Sequence, residues 1–242
     1  MTPLFNRKCK IGARPLKKYF RLKSILLFLI STAVIVAAYF FFAEQKNQVP
    51  PNMTVQEKKA RFKAIMLPVA KEVYDELLQR YKDVAAEIKD GNGAQFTDLK
   101  EEYKASSDTA LLLALKPHPI SITLAQAAME SAWASSRFFT EANNVFGVWS
   151  FDENEPRIAA GEKRGDKTIW VRKYSSVKEA VIDYYRTLAR GSAFEEFRVA
   201  RMKTSDPHQI VKKLDHYSEK GAKYAEELSA IINYNKFQQY DK

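Results

Sequence analysis

Residues 121–133, SITLAQAAMESAW, consist of small and apolar residues with one ionisable side chain, Glu130. Ala125, Ala127, Ala128, Ala132 and Ala134 fall on every face of a 3.6-residue repeat, so a helix here has no polar side to offer water. Such a helix must run through the middle of a domain, with other helices laid around it. Pro119 suits a chain entering a helix, and Ser121 or Thr123 is placed to cap its start. A carboxylate rarely enters such surroundings unless it is paired or used. Low dielectric raises its pKa, which is the tuning a general acid needs near neutral pH. Two readings of Glu130 therefore stand side by side: a buried acid, or a helix-edge carboxylate paired with an Arg or Lys. Trp133 follows three residues later, on the same side of the expected helix.

The rest of the chain supplies the surrounding helices. Residues 56–89 carry Phe62, Ile65, Met66, Val69, Val73, Leu77, Tyr81, Val84 and Ile88 on one stripe. Its mixture of aromatic and aliphatic residues favours packing on a domain over a coiled coil. Pro68 predicts a kink or a second start, and the DGNG turn at 90–93 ends the pattern. Shorter helices are expected over 96–103, 109–115, 135–139, 176–190, 193–202, 207–214 and 221–237. Residues 145–150 (VFGVWS) and 168–174 (TIWVRKY) read as two strands joined by a polar loop over 152–166. The expected fold class is mainly α (α+β), a helical domain carrying a small β-hairpin.

Upstream, residues 25–43 are nineteen consecutive positions without a charge. They amount to about 28 Å of helix, enough to cross one hydrocarbon core. The formal net charge is +10, but residues 1–43 hold eight cations and no acidic residue, leaving the other 199 residues at +2. The basicity belongs to the tail, so nucleic acid is not expected as a partner. A cation excess before the apolar run places the N-terminus in the cytoplasm and the rest outside the inner membrane. A cleavable signal is the competing reading; against it, the apolar run is long and Phe41 would occupy the −3 position of a cut after Ala43. The expected organisation is a basic cytoplasmic tail (1–23), a single-pass transmembrane anchor (24–43) and a linker (44–55). A helical pre-domain (56–116) and a periplasmic domain (117–242) follow. Cys9 is the lone cysteine, so no disulfide forms within the chain.

His118, His208 and His216 show no metal-ligand spacing, and no thiol lies beyond the anchor, so neither a metal nor another cofactor is expected. Gly-rich phosphate loops and Gly-x-Ser-x-Gly elbows are missing from the sequence. What is left is carboxylate chemistry among aromatic rings. Phe146, Trp149, Trp170 and Tyr174 join Trp133 as faces on which a sugar could stack, although an aromatic core accounts better for most of them. Trp149, next to the polar loop, is the ring best placed for a ligand.

Three segments in this order, AQAAMESAW (125–133), NVFGV (144–148) and YSSVKEA (174–180) with Asp183 and Tyr184, resemble the glucosaminidase domain of peptidoglycan hydrolases, within the lysozyme-like superfamily. Through YSEKGAKY (217–224) the resemblance is nearest to the Bax-type proteins of Gram-negative bacteria. It covers about residues 117–240, with a looser similarity around 61–69. It implies a lysozyme-like domain acting on peptidoglycan glycan strands as an endo-β-N-acetylglucosaminidase. Glu130 would protonate the glycosidic oxygen between two amino sugars, and Tyr217 would stand near the reacting sugar. A second, hairpin glutamate falls nearest to Glu162, with Glu153 and Glu155 as substitutes. Trp133, Asn144, Phe146, Trp149 and Tyr174 are the expected substrate contacts.

The sequence departs from the family pattern in two places. The usual Glu-Ser-Gly-Trp-Gly is here Glu130-Ser131-Ala132-Trp133-Ala134, which adds two methyl groups on a stretch expected near the glycan. The hairpin loop also diverges. Three mechanisms stay open: inversion with a second carboxylate about 6.5–9.5 Å away, participation of the substrate's own acetamido group, and lytic transglycosylation. The rival from another class is a non-catalytic wall-binding or scaffold protein, and protein partners are open.

Overall fold

The structure, a computed structural model, describes residues 25, 28–36, 50, 52–164 and 167–241, without the side chains of 162–164 and 167. Residues 28–36 are helical. Among the described residues no helix is long and apolar enough to cross a membrane. Half of the expected anchor at 24–43, and the whole basic tail with Cys9, lie outside the described residues.

From residue 52 onward the chain is mainly helical with one two-stranded sheet. Helix α1 (Val55–Lys89) opens with a capping box: Glu57 N–H donates to Thr54 Oγ1, and Thr54 N–H donates to Glu57 Oε2 at 2.7 Å. It passes through Pro68 without a break. A 3₁₀ turn and α2 (Thr97–Glu102) lead to α3 (Asp108–Leu115), α4 (Ile120–Glu130) and α5 (Arg137–Ala142). After the sheet come α6 (Val177–Arg190), α7 (Glu195–Lys203), the single turn α8 (Pro207–Ile210), α9 (Ala222–Tyr234) and a closing 3₁₀ turn, Phe237–Tyr240. Ser107, Ser136 and Ser176 cap α3, α5 and α6 by accepting from the third backbone N–H beyond them.

Helix α4 is the centre of the fold. Every residue from Ile120 to Ala128 is buried, as its lack of a polar face requires. It packs against α1, α9 and the closing turn. Phe62 and Met66 of α1, Tyr184 and Leu188 of α6, Tyr224 and Leu228 of α9, and Phe237 close around it in one continuous core. Each such apolar side chain contributes about 1.5–3 kcal/mol on burial. The small residues of α4 are what let three elements approach its backbone.

The start of α4 is not capped from within. Ser121 N–H donates to Asp241 Oδ1 at 2.8 Å and Ser121 Oγ donates to Asp241 Oδ2 at 2.6 Å, across 120 residues of sequence. A carboxylate there satisfies an orphan donor and faces the positive end of the helix dipole. The expectation that Ser121 or Thr123 would act as the cap is corrected accordingly; Thr123 faces the core instead.

The hairpin is also shifted from its expected place. Strand β1 (Arg157–Arg164) lies within the stretch expected to be a loop, and pairs antiparallel with β2 (Lys167–Arg172), Ile158 opposite Val171 and Ala159 opposite Trp170. Residues 145–150 form no strand. Gly147 sits at φ +66°, which breaks an extended run there. Beyond that bend, residues 148–150 lie along the other edge of β2, with Ser150 N–H donating to Trp170 O and Arg172 N–H donating to Val148 O. Side-chain hydrophobicity favoured VFGVWS as a strand; backbone pairing was decided by the glycine bend and the available edge.

Candidate active site

Helix α4 stops at Glu130, and Ser131 is its C-cap. The Ser131 hydroxyl donates to Ala127 O and accepts from Ala134 N–H. Ala132, Trp133 and Ala134 then follow at φ of +50°, +62° and +59°. Left-handed backbone costs an L residue about 1–2 kcal/mol, so three in succession need outside support. Trp133 N–H reaches back to Ala128 O at 2.8 Å, and Arg61 Nη1 of α1 donates to Ala134 O at 2.8 Å. The two positions where the family pattern has glycine are thus positions where the backbone itself favours glycine.

This turn separates Trp133 from Glu130. The Trp133 ring meets Phe62 edge-on at 5.2 Å and lies 6.3 Å from Phe237. The expectation that the two share a helix face is corrected, because the helix ends between them.

Glu130 is half-buried, and among the described residues no cation lies within ion-pair distance of it. Its partner is Tyr224 on α9, whose hydroxyl donates to Glu130 Oε1 at 2.8 Å. Burial raises the carboxyl pKa, opposed by the Tyr224 hydrogen bond and by the charge of Lys220. Of the two surroundings considered for Glu130, the structure shows a partly desolvated carboxyl and, among the described residues, no ion pair.

Behind Tyr224 runs a line of buried polar groups. Gln126 Nε2 donates to the Tyr224 hydroxyl at 2.9 Å, Tyr184 donates to Gln126 Oε1, and Tyr184 meets His118 Nε2 at 3.1 Å. His118 Nδ1 has no partner, so the ring proton belongs on Nε2, where Tyr184 and Thr123 (3.0 Å) both receive it. Burial, and then the charge of Arg201, hold the His118 pKa well below its usual value, so the ring is neutral. Read from His118, every donor in the line points towards Glu130. The last of them occupies Oε1 of the Glu130 carboxyl. Arg201 is itself buried; its pKa is pushed down to about 9 by burial and by Arg198, and its Nη2 caps the end of α3 at Leu113 O and Ala114 O.

Tyr217 stacks on Tyr224, centroids 5.5 Å apart at 15°. Its phenol pKa is raised by burial first, then by the charges of Glu130 and Tyr174, which puts it within electrostatic reach of both. Glu130, Tyr217 and Tyr224 are thus brought together, with Tyr174 close by.

The other expected residues divide differently. Tyr174 donates to Asp183 Oδ2 at 2.6 Å, and Arg172 Nη1 donates to the same oxygen at 2.8 Å. Asn144 is buried, and its amide is consumed by backbone: Nδ2 donates to Val148 O and Arg172 O, and Oδ1 accepts from Val148 N–H. Phe146 is buried and stacked on Tyr184 at 4.0 Å. Trp149 stays 41% exposed beside Phe151, which is 85% exposed. Glu155 is held by Arg172 at 2.8 Å, and Glu153 lies 3.8 Å from Arg157 with its side chain 88% exposed. The side chain of Glu162 lies outside the described residues. Among those residues no group of three or more His, Cys, Asp or Glu is arranged to hold a metal.

Sequence reasoning passed over Tyr224, Gln126 and His118. Tyr224 closes the YSEKGAKY segment and Gln126 is the one amide in the small-residue helix, a signal in each case.

Residues 109–237 match the family described as Glucosaminidase: Mannosyl-glycoprotein endo-beta-N-acetylglucosaminidase. The chain is 30% identical over 156 residues to Protein bax of Escherichia coli (strain K12), covering 59% of this chain and 55% of that protein. It is 29% identical over 153 residues to Exo-glucosaminidase LytG of Bacillus subtilis (strain 168), covering 56% and 51%. The chain therefore spans about half the length of these curated relatives. Among solved structures, the catalytic domain of the autolysin Auto from Listeria monocytogenes aligns with a TM-score of 0.44 at 20% identity, over 79% of this chain and 100% of that one.

Proposed function

Because the chain belongs to the glucosaminidase family of glycoside hydrolases, we propose that it cleaves the glycan strands of peptidoglycan, as an N-acetylglucosaminidase with Glu130 as general acid. The observation that carries this reading is a partly desolvated carboxyl with no ion-pair partner among the described residues and one oxygen held by Tyr224. In its protonated form, Glu130 donates to the glycosidic oxygen as the bond to the anomeric carbon breaks. Burial keeps enough of the acid form present for this step. Tyr217, stacked beside Tyr224, offers a neutral hydroxyl to the reacting sugar.

The second role falls to Glu162 acting on a water, or to the substrate's own acetamido group. Glu155 is not assigned it, since Arg172 holds that carboxylate. Trp149 is assigned to sugar stacking on its exposure; Asn144 and Phe146 act beneath the surface, holding the turn and the core. The nineteen uncharged residues behind eight cations support a membrane anchor with this domain on the outer side of the inner membrane.

The test is glycan release by the full chain. Glu130→Gln lowers turnover by about 10²–10⁴-fold; undiminished activity in that variant removes Glu130 from the role. Mass spectrometry of the terminal sugar separates a glucosaminidase from a muramidase, and an anhydro end identifies a transglycosylase.

A further inference from the structure

Beside the left-handed turn is a cavity of about 330 Å³ that Trp133 lines and Glu130 does not. It lies between the start of α1 and the end of α9, lined among others by Lys59, Lys63, Trp133, Tyr234, Asn235 and Lys236. Among the described residues no carboxylate lines it, and none lies within ion-pair distance of its three lysines. Ordinary surface lysines are solvated and mobile. Lys59 is partly buried: its Nζ stands 4.7 Å over the Trp133 ring and 4.3 Å over the Tyr234 ring, and donates to Asn235 Oδ1 at 3.0 Å. Its charge is held in position by neutral groups and is left unneutralised. Lys236 takes a left-handed conformation, φ +53°, between the end of α9 and the closing turn.

We propose that this cavity binds a carboxylate carried on a peptide or sugar body, and that its natural source is the peptide attached to peptidoglycan strands. An inorganic anion has no use for the apolar wall that Trp133, Phe237 and Tyr234 contribute to the cavity, and a neutral sugar has no use for three ammonium groups. A wall strand supplies both, since its sugars carry peptides with free carboxylates. Trp133, three residues beyond Glu130, ties this cavity to the turn that ends the acid's helix. The choice of source rests on the peptidoglycan reading above; the anion chemistry does not.

Isothermal titration calorimetry on the full chain in detergent tests it. The chain carries Glu130→Gln to prevent turnover, and the probes are a disaccharide–tripeptide wall fragment, its fully amidated counterpart and inorganic phosphate. The free acid binds at least tenfold more tightly than the amide, and the Lys59→Met/Lys236→Gln double variant abolishes that preference; methionine keeps an apolar stem against the rings. Equal binding of acid and amide, or a preference that survives the double variant, overturns the proposal. Displacement of the fragment by phosphate also overturns it, reassigning the cavity to phosphate groups such as lipid headgroups. A wild-type chain that cuts no glycan yet keeps the lysine-dependent preference fails the hydrolase reading alone.

Discussion

Tyr224 gives its hydroxyl proton to Glu130 Oε1 at 2.8 Å, and it takes one from Gln126 at 2.9 Å. The tyrosine therefore works in one direction. It fixes the rotation of the carboxyl group and makes its two oxygens unequal. It also lowers the acid's pKa, but burial outweighs it, so the group is restrained without being locked in its ionised form.

Tyr224→Phe removes that donor. The Glu130 pKa rises further, and the alkaline limb of kcat/KM, where the acid loses its proton, moves to higher pH. Gln126 Nε2 is left buried and unpaired, at a cost of about 1–3 kcal/mol. A pH–rate profile and a thermal melt check both effects. An unmoved limb would show that the tyrosine is only structural.

Glu130→Gln trades activity for stability. The folded pKa lies above the ordinary 4.5, so the native state binds more protons than the unfolded state between those two values. Stability contributed by this group is lost as pH rises through that window, and the deficit is complete above the folded pKa. The glutamine variant, which keeps an acceptor for Tyr224, melts higher than wild type at neutral pH. That advantage disappears below pH 4.5. Melting curves across the range provide the check.

Ala132 stands at φ +50° with its side chain exposed, so replacing it removes no packing. Ala132→Gly stabilises the fold by about 1 kcal/mol, and Ala132→Val destabilises it by at least as much. The urea midpoint measures both. A glycine variant no more stable than wild type would mean that the turn relaxes in solution.

Asp241→Ala leaves the buried Ser121 N–H and hydroxyl without their acceptor. The expected loss is about 1–3 kcal/mol. Asp241→Asn, which retains one carbonyl acceptor, loses less. Denaturant unfolding of the pair distinguishes loss of the hydrogen bonds from loss of the charge.

What the sequence made legible was local. The amphipathic stripe of α1 and the all-apolar α4 follow from periodicity and composition, and the motif around Glu130 pointed to a carboxyl that the fold half-buries. What it hid was set by distant partners or by silent backbone. Alanine gives no sign of a positive φ, so the turn at 132–134 read as more helix and Trp133 was put on the wrong side. Asn144 looked like a ligand group because nothing local shows that its amide holds Val148 and Arg172. Gln126 and Tyr224 meet across 98 residues, a separation at which neither spacing nor propensity carries information.

The bond between Asp241 and Ser121 also orders events in time. The residue that seats the start of α4 is synthesised 120 residues after the helix it seats. The Glu130 helix is thus secured by a residue 120 positions downstream of its start. A nascent or truncated chain that stops before Asp241 contains the whole family match at 109–237, and lacks the clasp that holds the start of the helix ending at Glu130.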